Sequence, residues 1–272
     1  MTSPTSRPIA PPRPLNLDTL AAGHRETAET GLAWLTALAV VKLDGKPFIG
    51  EVAQEEAALL VLSGTHDFEA GGKTWPQRGV RTTPFQGRPI ALFMPPRTPF
   101  SVHDGRGEAL LIRAKLPIPT APAQGIEELS RKPLLVLAGS GKAFDPATGA
   151  WRPEEQFQDS PEFLLPRHIQ TVEQDGVKVE RIFTQGYKSR VLGLAEAVLP
   201  AGQRLEGFAE VAAEALLYYR SEAPLEVEVG TGILRVSGEG ALAIADASAL
   251  KLHAGSTPAY VVLATAAPKS ST

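Results

Sequence analysis

Glu206, Glu210 and Glu214 are carboxylates spaced four residues apart, and they are candidates for metal binding or proton transfer. Carboxylate oxygens bind Mg²⁺ and Ca²⁺, and a carboxylate beside a substrate can move a proton. His253, at the end of a predicted strand, could supply an imidazole ligand, and Glu214 is its one obvious companion. A solvated acidic loop has the same composition, and surface acids without a function are common. Both interpretations stay open at the level of sequence.

Tyr218, Tyr219 and Arg220 end an apolar run, and Arg235 lies in a later predicted strand. A guanidinium holds a carboxylate through paired hydrogen bonds, and a tyrosine hydroxyl can donate to a substrate hydroxyl. Side chains alternate along a strand, so only one of the two tyrosines points into a barrel. These residues favour a pocket for a small organic acid. The alternative is that Arg220 is a surface residue at a strand end.

The elements that must position these residues are short strands joined by turns. The chain has 24 prolines and 25 glycines, with runs rich in strand-forming residues between them. In the first half we predict strands over residues 34–43, 57–62, 65–69, 89–94, 100–103 and 109–115. In the second half we predict strands over residues 168–172, 177–184, 191–199, 215–219, 225–229, 233–236, 241–244 and 260–265. The pattern is typical of an all-β protein.

An apolar run followed by a Thr-Pro turn recurs with similar spacing in the two halves. In the first half residues 59–64 lead to residues 94–99, and in the second half residues 216–220 lead to residues 252–258. Such an echo indicates a duplicated small barrel. We therefore predict a flexible Pro-rich arm at 1–30, a first barrel at 31–118, a linker at 119–160 and a second barrel at 161–272.

Composition narrows the classes of partner. The formal net charge is −3, which argues against the basic surface that nucleic-acid binding requires. There is no cysteine, which excludes disulfides and thiolate sites and fits a reducing compartment. The sequence has neither a signal-peptide pattern nor an apolar run of bilayer-spanning length. We expect a cytoplasmic protein that binds neither nucleic acid nor membrane.

With these residues placed, the chain resembles the 5-deoxy-glucuronate isomerase family of inositol catabolism, which are two-barrel cupins. The similarity spans most of the chain beyond the arm and is strongest from Leu59 to Pro117. It is carried in the first half by Ala33-Trp34, residues 59–64, Arg81, Phe85, Gly87, Pro89, Pro95 and Thr98, and in the second half by residues 167–169, 179–183, Glu214 and residues 218–220. The resemblance implies two cupin-type β-barrels, or double-stranded β-helices, in tandem.

The resemblance also implies aldose–ketose isomerisation of a sugar acid at a divalent metal. The family's metal ligands are a His-x-His pair, a Glu and a later His in the second barrel. Here residues 202–211 contain no histidine, and Thr257 stands at the later His position. We therefore predict no metal cofactor. We therefore take Glu214 and Tyr219 as the catalytic candidates and Arg220, Arg235 and Thr257 as the substrate-binding candidates of a pocket without metal.

Two hypotheses of function follow. The first is a divergent sugar-acid isomerase that works without the usual metal or with a relocated one. The second is a non-catalytic cupin that binds a small sugar acid or serves as a structural or regulatory partner. Homo-oligomer formation is an open expectation under both hypotheses.

Overall fold

The computed structural model describes residues 10–20, 24–27, 29–79, 81–116, 134–137, 142–145, 150–153, 170–183, 189–209 and 213–267. Every regular element in these ranges is a β-strand. No stretch of them forms a helix that could cross a membrane. The prediction of an all-β protein is confirmed.

The first sheet is built mainly from the first half of the chain. Its nine strands follow the order β10-β8-β6-β9-β4-β3-β2, with β5 paired to β9 and β7 paired to β6. Their bounds are β2 Leu17–Leu20, β3 His24–Thr27, β4 Leu35–Asp44, β5 Phe48–Val52, β6 Glu55–Ala70, β7 Lys73–Arg78, β8 Ile90–Met94, β9 Thr98–Lys115 and β10 Leu134–Leu137.

The second sheet also has nine strands, in the order β1-β18-β17-β20-β15-β14-β13, with β19 paired to both β16 and β17. Their bounds are β1 Arg13–Leu15, β13 Gln170–Gln174, β14 Val177–Phe183, β15 Leu192–Leu199, β16 Arg204–Glu206, β17 Glu214–Val229, β18 Gly232–Ile244, β19 Leu250–His253 and β20 Ala259–Ala266. A separate hairpin joins β11 Lys142–Asp145 to β12 Ala150–Pro153.

The two sheets repeat one topology. In the first sheet, β6 and β4 both pair with β9. In the second sheet, β17 and β15 both pair with β20, and β17 also pairs with β19, which corresponds to the first part of β9. Strand β5 pairs with the first part of β9 as β16 pairs with β19. The sequence therefore encodes two similar curled sheets, in agreement with the predicted duplication.

The Thr-Pro echo that suggested the duplication is not structurally equivalent in the two halves. Thr98 and Pro99 open β9, which pairs with β6, whereas Thr257 and Pro258 lie between β19 and β20. Ser63 of β6 pairs with Glu108, and the equivalent Ser221 of β17 pairs with Ala259. Thr257 lies two residues before Ala259, so its position corresponds to that of Arg106, two residues before Glu108. The repeat was correctly predicted, but the residues that suggested it were aligned wrongly.

The predicted N-terminal arm contributes regular structure instead of remaining free. Leu15 in β1 pairs with Ala241 of β18 in the second sheet, while β2 and β3 belong to the first sheet. Strand β10, within the predicted linker, pairs with β8 as β1 pairs with β18. Each barrel thus gains an edge strand, and the second barrel takes its edge strand from the start of the chain.

Three apolar clusters fill the fold. The first-barrel core lies on one face of β6 and includes Leu59, Val61 and Phe68. The second-barrel core lies on one face of β17 and includes Leu217 and Val227. The interbarrel core takes the opposite faces of both strands, and so joins residues of the two halves in one cluster. The two barrels are therefore packed against each other.

Candidate functional site

The interior of the second barrel is where the implied metal and substrate would lie, and apolar side chains occupy it. Strand β17 directs Ala215, Leu217 and Tyr219 into the second-barrel core, where leucines, valines and alanines surround them. Leu205, from the segment expected to carry the His-x-His pair, is fully buried in the same core. Aliphatic side chains offer no lone pair to a metal or a sugar hydroxyl.

The donor set for the implied divalent metal is absent from the part of the chain that the structure describes. These residues contain no group of three or more His, Asp or Glu side chains that could hold an ion. His253 lies on β19 opposite Arg204 and Glu226, and Glu206 lies 3.9 Å from the Lys251 ammonium. Glu210 and His168 lie outside the described residues. The described residues therefore do not fit the metal.

Glu214 faces the first barrel instead of the interior of the second. Its carboxylate accepts hydrogen bonds from the backbone amides of Ala33 (2.8 Å), Trp34 and Leu35 (2.6 Å). Three amide donors occupy oxygens that a general base would need for its substrate. The structure therefore gives Glu214 a role in joining the barrels and does not bring it together with Tyr219.

Glu56 forms the matching contact in the opposite direction. Its carboxylate, buried on β6, accepts from the backbone amides of Arg190 (2.7 Å), Val191 (3.2 Å) and Leu192 (3.4 Å). Burial raises the pKa of Glu56, and the three amide donors oppose that rise. Glu56 and Glu214 begin equivalent strands, and we call their two contacts the carboxylate clamps.

Tyr219 is buried among the second-barrel leucines, with its ring beside Gly240. A Cβ at Gly240 would lie 2.3 Å from the tyrosine hydroxyl oxygen, so only glycine leaves room for the ring there. Burial raises the pKa of Tyr219. The phenol stays protonated at neutral pH, where it can donate a hydrogen bond but cannot act as a base.

Two of the three predicted substrate-binding residues meet at one place between the barrels. A surface pocket of about 580 Å³, here called the interbarrel pocket, is lined by Phe85 of the first half and by residues that include Arg220, Glu222, Glu239, Thr257 and Pro258. Its volume lies within the usual range of small-molecule sites. Arg220 and Thr257 thus line one pocket, which lies outside the barrel interior where the sequence analysis expected them.

Arg220 is already engaged by carboxylates. Its Nη2 donates to Glu108 Oε2 at 2.6 Å and to Glu239 Oε1 at 3.0 Å, and its Nε donates to the Tyr218 hydroxyl at 2.5 Å. Burial alone would lower the pKa of Arg220, but Tyr218, Glu108 and Glu239 raise it above its usual value. The guanidinium is permanently charged and satisfied from within the protein.

Arg235 is remote from this arrangement. Its side chain is 75% exposed and pairs with Glu226 at 3.1 Å on the hairpin between β17 and β18. The structure therefore does not bring Arg235 together with Arg220 and Thr257.

A second polar group lies buried between the barrels, and the sequence analysis did not identify it as a unit. Arg81 of the first half forms a bidentate ion pair with Glu196 of β15, at 2.8 Å and 3.1 Å, and its Nε donates to the Val61 carbonyl. The Tyr260 hydroxyl donates to Glu196 at 2.6 Å. Arg81, one of the residues that carry the family resemblance, therefore binds a carboxylate of the protein itself.

A family model matches part of the chain. Residues 21–129 match the model of the KduI/IolB family, a range that includes every strand of the first sheet except its two edge strands, β2 and β10, and that leaves the second sheet outside. The resemblance to the 5-deoxy-glucuronate isomerase family is confirmed over this segment. A search of the curated proteins found no match.

Several solved structures share the fold. An IolB-like protein from Salmonella typhimurium aligns with a TM-score of 0.59 at 13% identity, covering 88% of this chain and 85% of that one. An oxalate decarboxylase from Bacillus subtilis aligns with a TM-score of 0.54 at 13% identity, covering 97% and 79%. A bacterial pirin from Escherichia coli, solved in complex with nickel(II), aligns with a TM-score of 0.51 at 14% identity, covering 94% and 99%. At these identities the likeness shows the fold, which is a pair of cupin barrels.

Proposed function

We propose that this protein is a non-catalytic double cupin, similar in its first half to the KduI/IolB family, that works as a binding protein through its surface. The observation that carries the proposal is the apolar filling of both barrel interiors by described residues. An enzyme site in a cupin interior needs polar groups that converge on a substrate, and here the inward positions of β6 and β17 are mostly aliphatic.

The placement of the catalytic candidates supports the same proposal. Aldose–ketose isomerisation moves a proton between neighbouring carbons, so a base and an acid must reach the same substrate. Glu214 accepts three amide hydrogen bonds between the barrels, and the ring of Tyr219 lies within an apolar core. Side chains on adjacent positions of one strand point to opposite faces, and Glu214 and Tyr219 likewise lie on opposite faces of β17.

The test combines metal content with turnover. Purified protein is analysed for Mn, Fe, Zn and Ni, and is then incubated with 5-deoxy-glucuronate in the presence of each divalent ion. We expect substoichiometric metal and ketose formation at the background rate. Stoichiometric metal together with turnover above background would overturn the proposal.

The second candidate is a divergent sugar-acid isomerase, and the family match over residues 21–129 favours it. It predicts turnover that Glu214→Gln or Tyr219→Phe abolishes, while the exposed control Arg235→Gln leaves it unchanged. Turnover that survives both site substitutions would place the chemistry at other residues. Absence of turnover in the unaltered protein would leave the binding function as the better account.

A further inference from the structure

The interbarrel pocket joins an apolar wall to an excess of negative charge. Phe85 is 38% exposed and, with Pro258, supplies apolar surface. Glu222 and Glu239 line the pocket, and Glu108 lies against Arg220. These residues therefore include three carboxylates and a single guanidinium.

This charge balance selects against an anion. A bound carboxylate would have to compete with Glu108 and Glu239 for Arg220, and would leave a partly buried glutamate without its partner. Charges of like sign a few ångströms apart repel each other at a protein surface. The interbarrel pocket is therefore a poor site for the sugar acid that the sequence suggested.

The same features suit a ligand of opposite charge. An ammonium group is attracted to the face of an aromatic ring as well as to carboxylates, and its alkyl body is favourable against apolar side chains. Phe85 and Glu222 offer both contacts at the rim, where no described ion pair engages Glu222. We propose that the interbarrel pocket binds a small organic cation with an ammonium group.

This proposal adds a binding site to the non-catalytic function above but does not depend on it, because the pocket lies outside both barrel interiors. Metal analysis and turnover decide the catalytic question. Binding of an ammonium probe decides the question of the pocket, so the two can fail separately.

The experiment compares three probes that differ in charge. Choline is titrated into the full-length protein by NMR or calorimetry, beside its uncharged isostere 3,3-dimethyl-1-butanol and the anion glucuronate. We expect saturable binding of choline with an affinity roughly threefold or more above that of the isostere, because a cation–π contact contributes about that factor. We also expect choline affinity to fall as salt is added.

Two pocket variants and one control locate the site. Glu222→Gln and Phe85→Leu should each weaken choline binding about threefold. Glu51→Gln, an exposed carboxylate on β5 of the first barrel, should leave it unchanged. All three positions are exposed, and near-UV circular dichroism verifies that the variants keep the native packing.

Three outcomes of the probe comparison overturn the proposal. They are equal binding of choline and its isostere, tighter binding of glucuronate, and the lack of any saturable binding of choline. An unchanged affinity in both pocket variants would also overturn it, by moving the site elsewhere.

Discussion

Arg81, Glu196 and Tyr260 place an ion pair and a phenol inside a largely apolar interface. The Arg81 and Glu196 side chains are almost fully buried, so each depends on the other for compensation of its charge. Burial alone would lower the pKa of Arg81, but Tyr260 and Glu196 raise it. A bidentate pair of this kind fixes one geometry between its two partners. At the scale of single residues, this pair specifies how the barrels face each other.

Removing one partner of this pair should cost more than removing both. Arg81→Met leaves the Glu196 carboxylate buried without its cation, and we expect a loss of about 3–5 kcal/mol in the free energy of unfolding. The double variant Arg81→Met/Glu196→Leu should recover most of that loss, because apolar groups then fill the site. Urea denaturation of the two single variants and the double variant measures the coupling, and simple additivity would contradict the prediction.

Glu214 offers a test that separates a structural from a catalytic carboxylate. Glu214→Gln replaces one acceptor oxygen by an amide group that faces backbone donors, so we expect a loss of about 2 kcal/mol in unfolding free energy. The matched variant Glu56→Gln breaks the other carboxylate clamp and should also destabilise the fold. Chemical denaturation provides the measurement. Unchanged stability of Glu214→Gln would show that the clamp contributes little.

At the scale of elements, strand β1 ties the start of the chain to the second sheet. Leu15 is buried in the interbarrel core, whereas its neighbour Pro14 is exposed. We expect Leu15→Ala to lower the unfolding free energy by about 2–3 kcal/mol through the loss of buried methyl groups. Pro14→Ala on the same strand is the control and should have a small effect. Thermal or urea unfolding compares them, and equal effects would mean that β1 does not pack as described.

Local pattern predicted most strands, because an apolar run between turns carries its own signal. The runs at 57–62 and 65–69 merge into one long strand, β6, since a register shift between Val61 and Ser63 lets the pairing continue. Strand β1 was missed, because its partner Ala241 lies more than two hundred residues away and a short Pro-rich segment has no pattern of its own.

The candidate site was only partly predictable for a similar reason. Arg220 was chosen by residue type and Thr257 by its position in the family resemblance, and both line one pocket. Glu214 was chosen in the same way, but the direction of its side chain depends on which face of β17 the first barrel covers. That choice is made by packing between halves of the chain. Glu56 makes the equivalent contact with residues 190–192. The sequence indicates that Glu56 and Glu214 are equivalent only when the two halves are aligned correctly.

At the scale of the whole molecule, buried phenols make stability depend on alkaline pH. Burial raises the pKa values of Tyr218, Tyr219 and Tyr260 in the folded protein. Because the folded pKa values exceed the unfolded value of about 10, their contribution is intact below that pH and is lost as the pH rises above it.

We therefore expect urea midpoints to be insensitive to these tyrosines near neutral pH and to fall steeply above about pH 10. The tyrosinate absorbance of these three residues, measured in a Tyr187→Phe background because Tyr187 lies outside the described residues, should appear together with unfolding and not before it. Tyr260→Phe, which removes one buried phenol, should reduce the steepness of the fall. Ionisation of these tyrosines in the native protein near pH 10 would contradict the assignment.

The interbarrel core predicts how the two barrels unfold. It takes buried side chains from both halves, such as Leu60 of β6 and Leu216 of β17, so separating the barrels would expose a large apolar surface on each. We expect a single cooperative transition.

Trp34 and Trp75 report on the first half by fluorescence, while the region 161–272 has no tryptophan and is followed by amide hydrogen exchange of peptides from β17. Coincident midpoints and equal free energies of opening would support a shared core. If the second barrel opens at a lower urea concentration than the first, the interface couples the two barrels only weakly. That result would contradict the interbarrel core as the source of a shared stability.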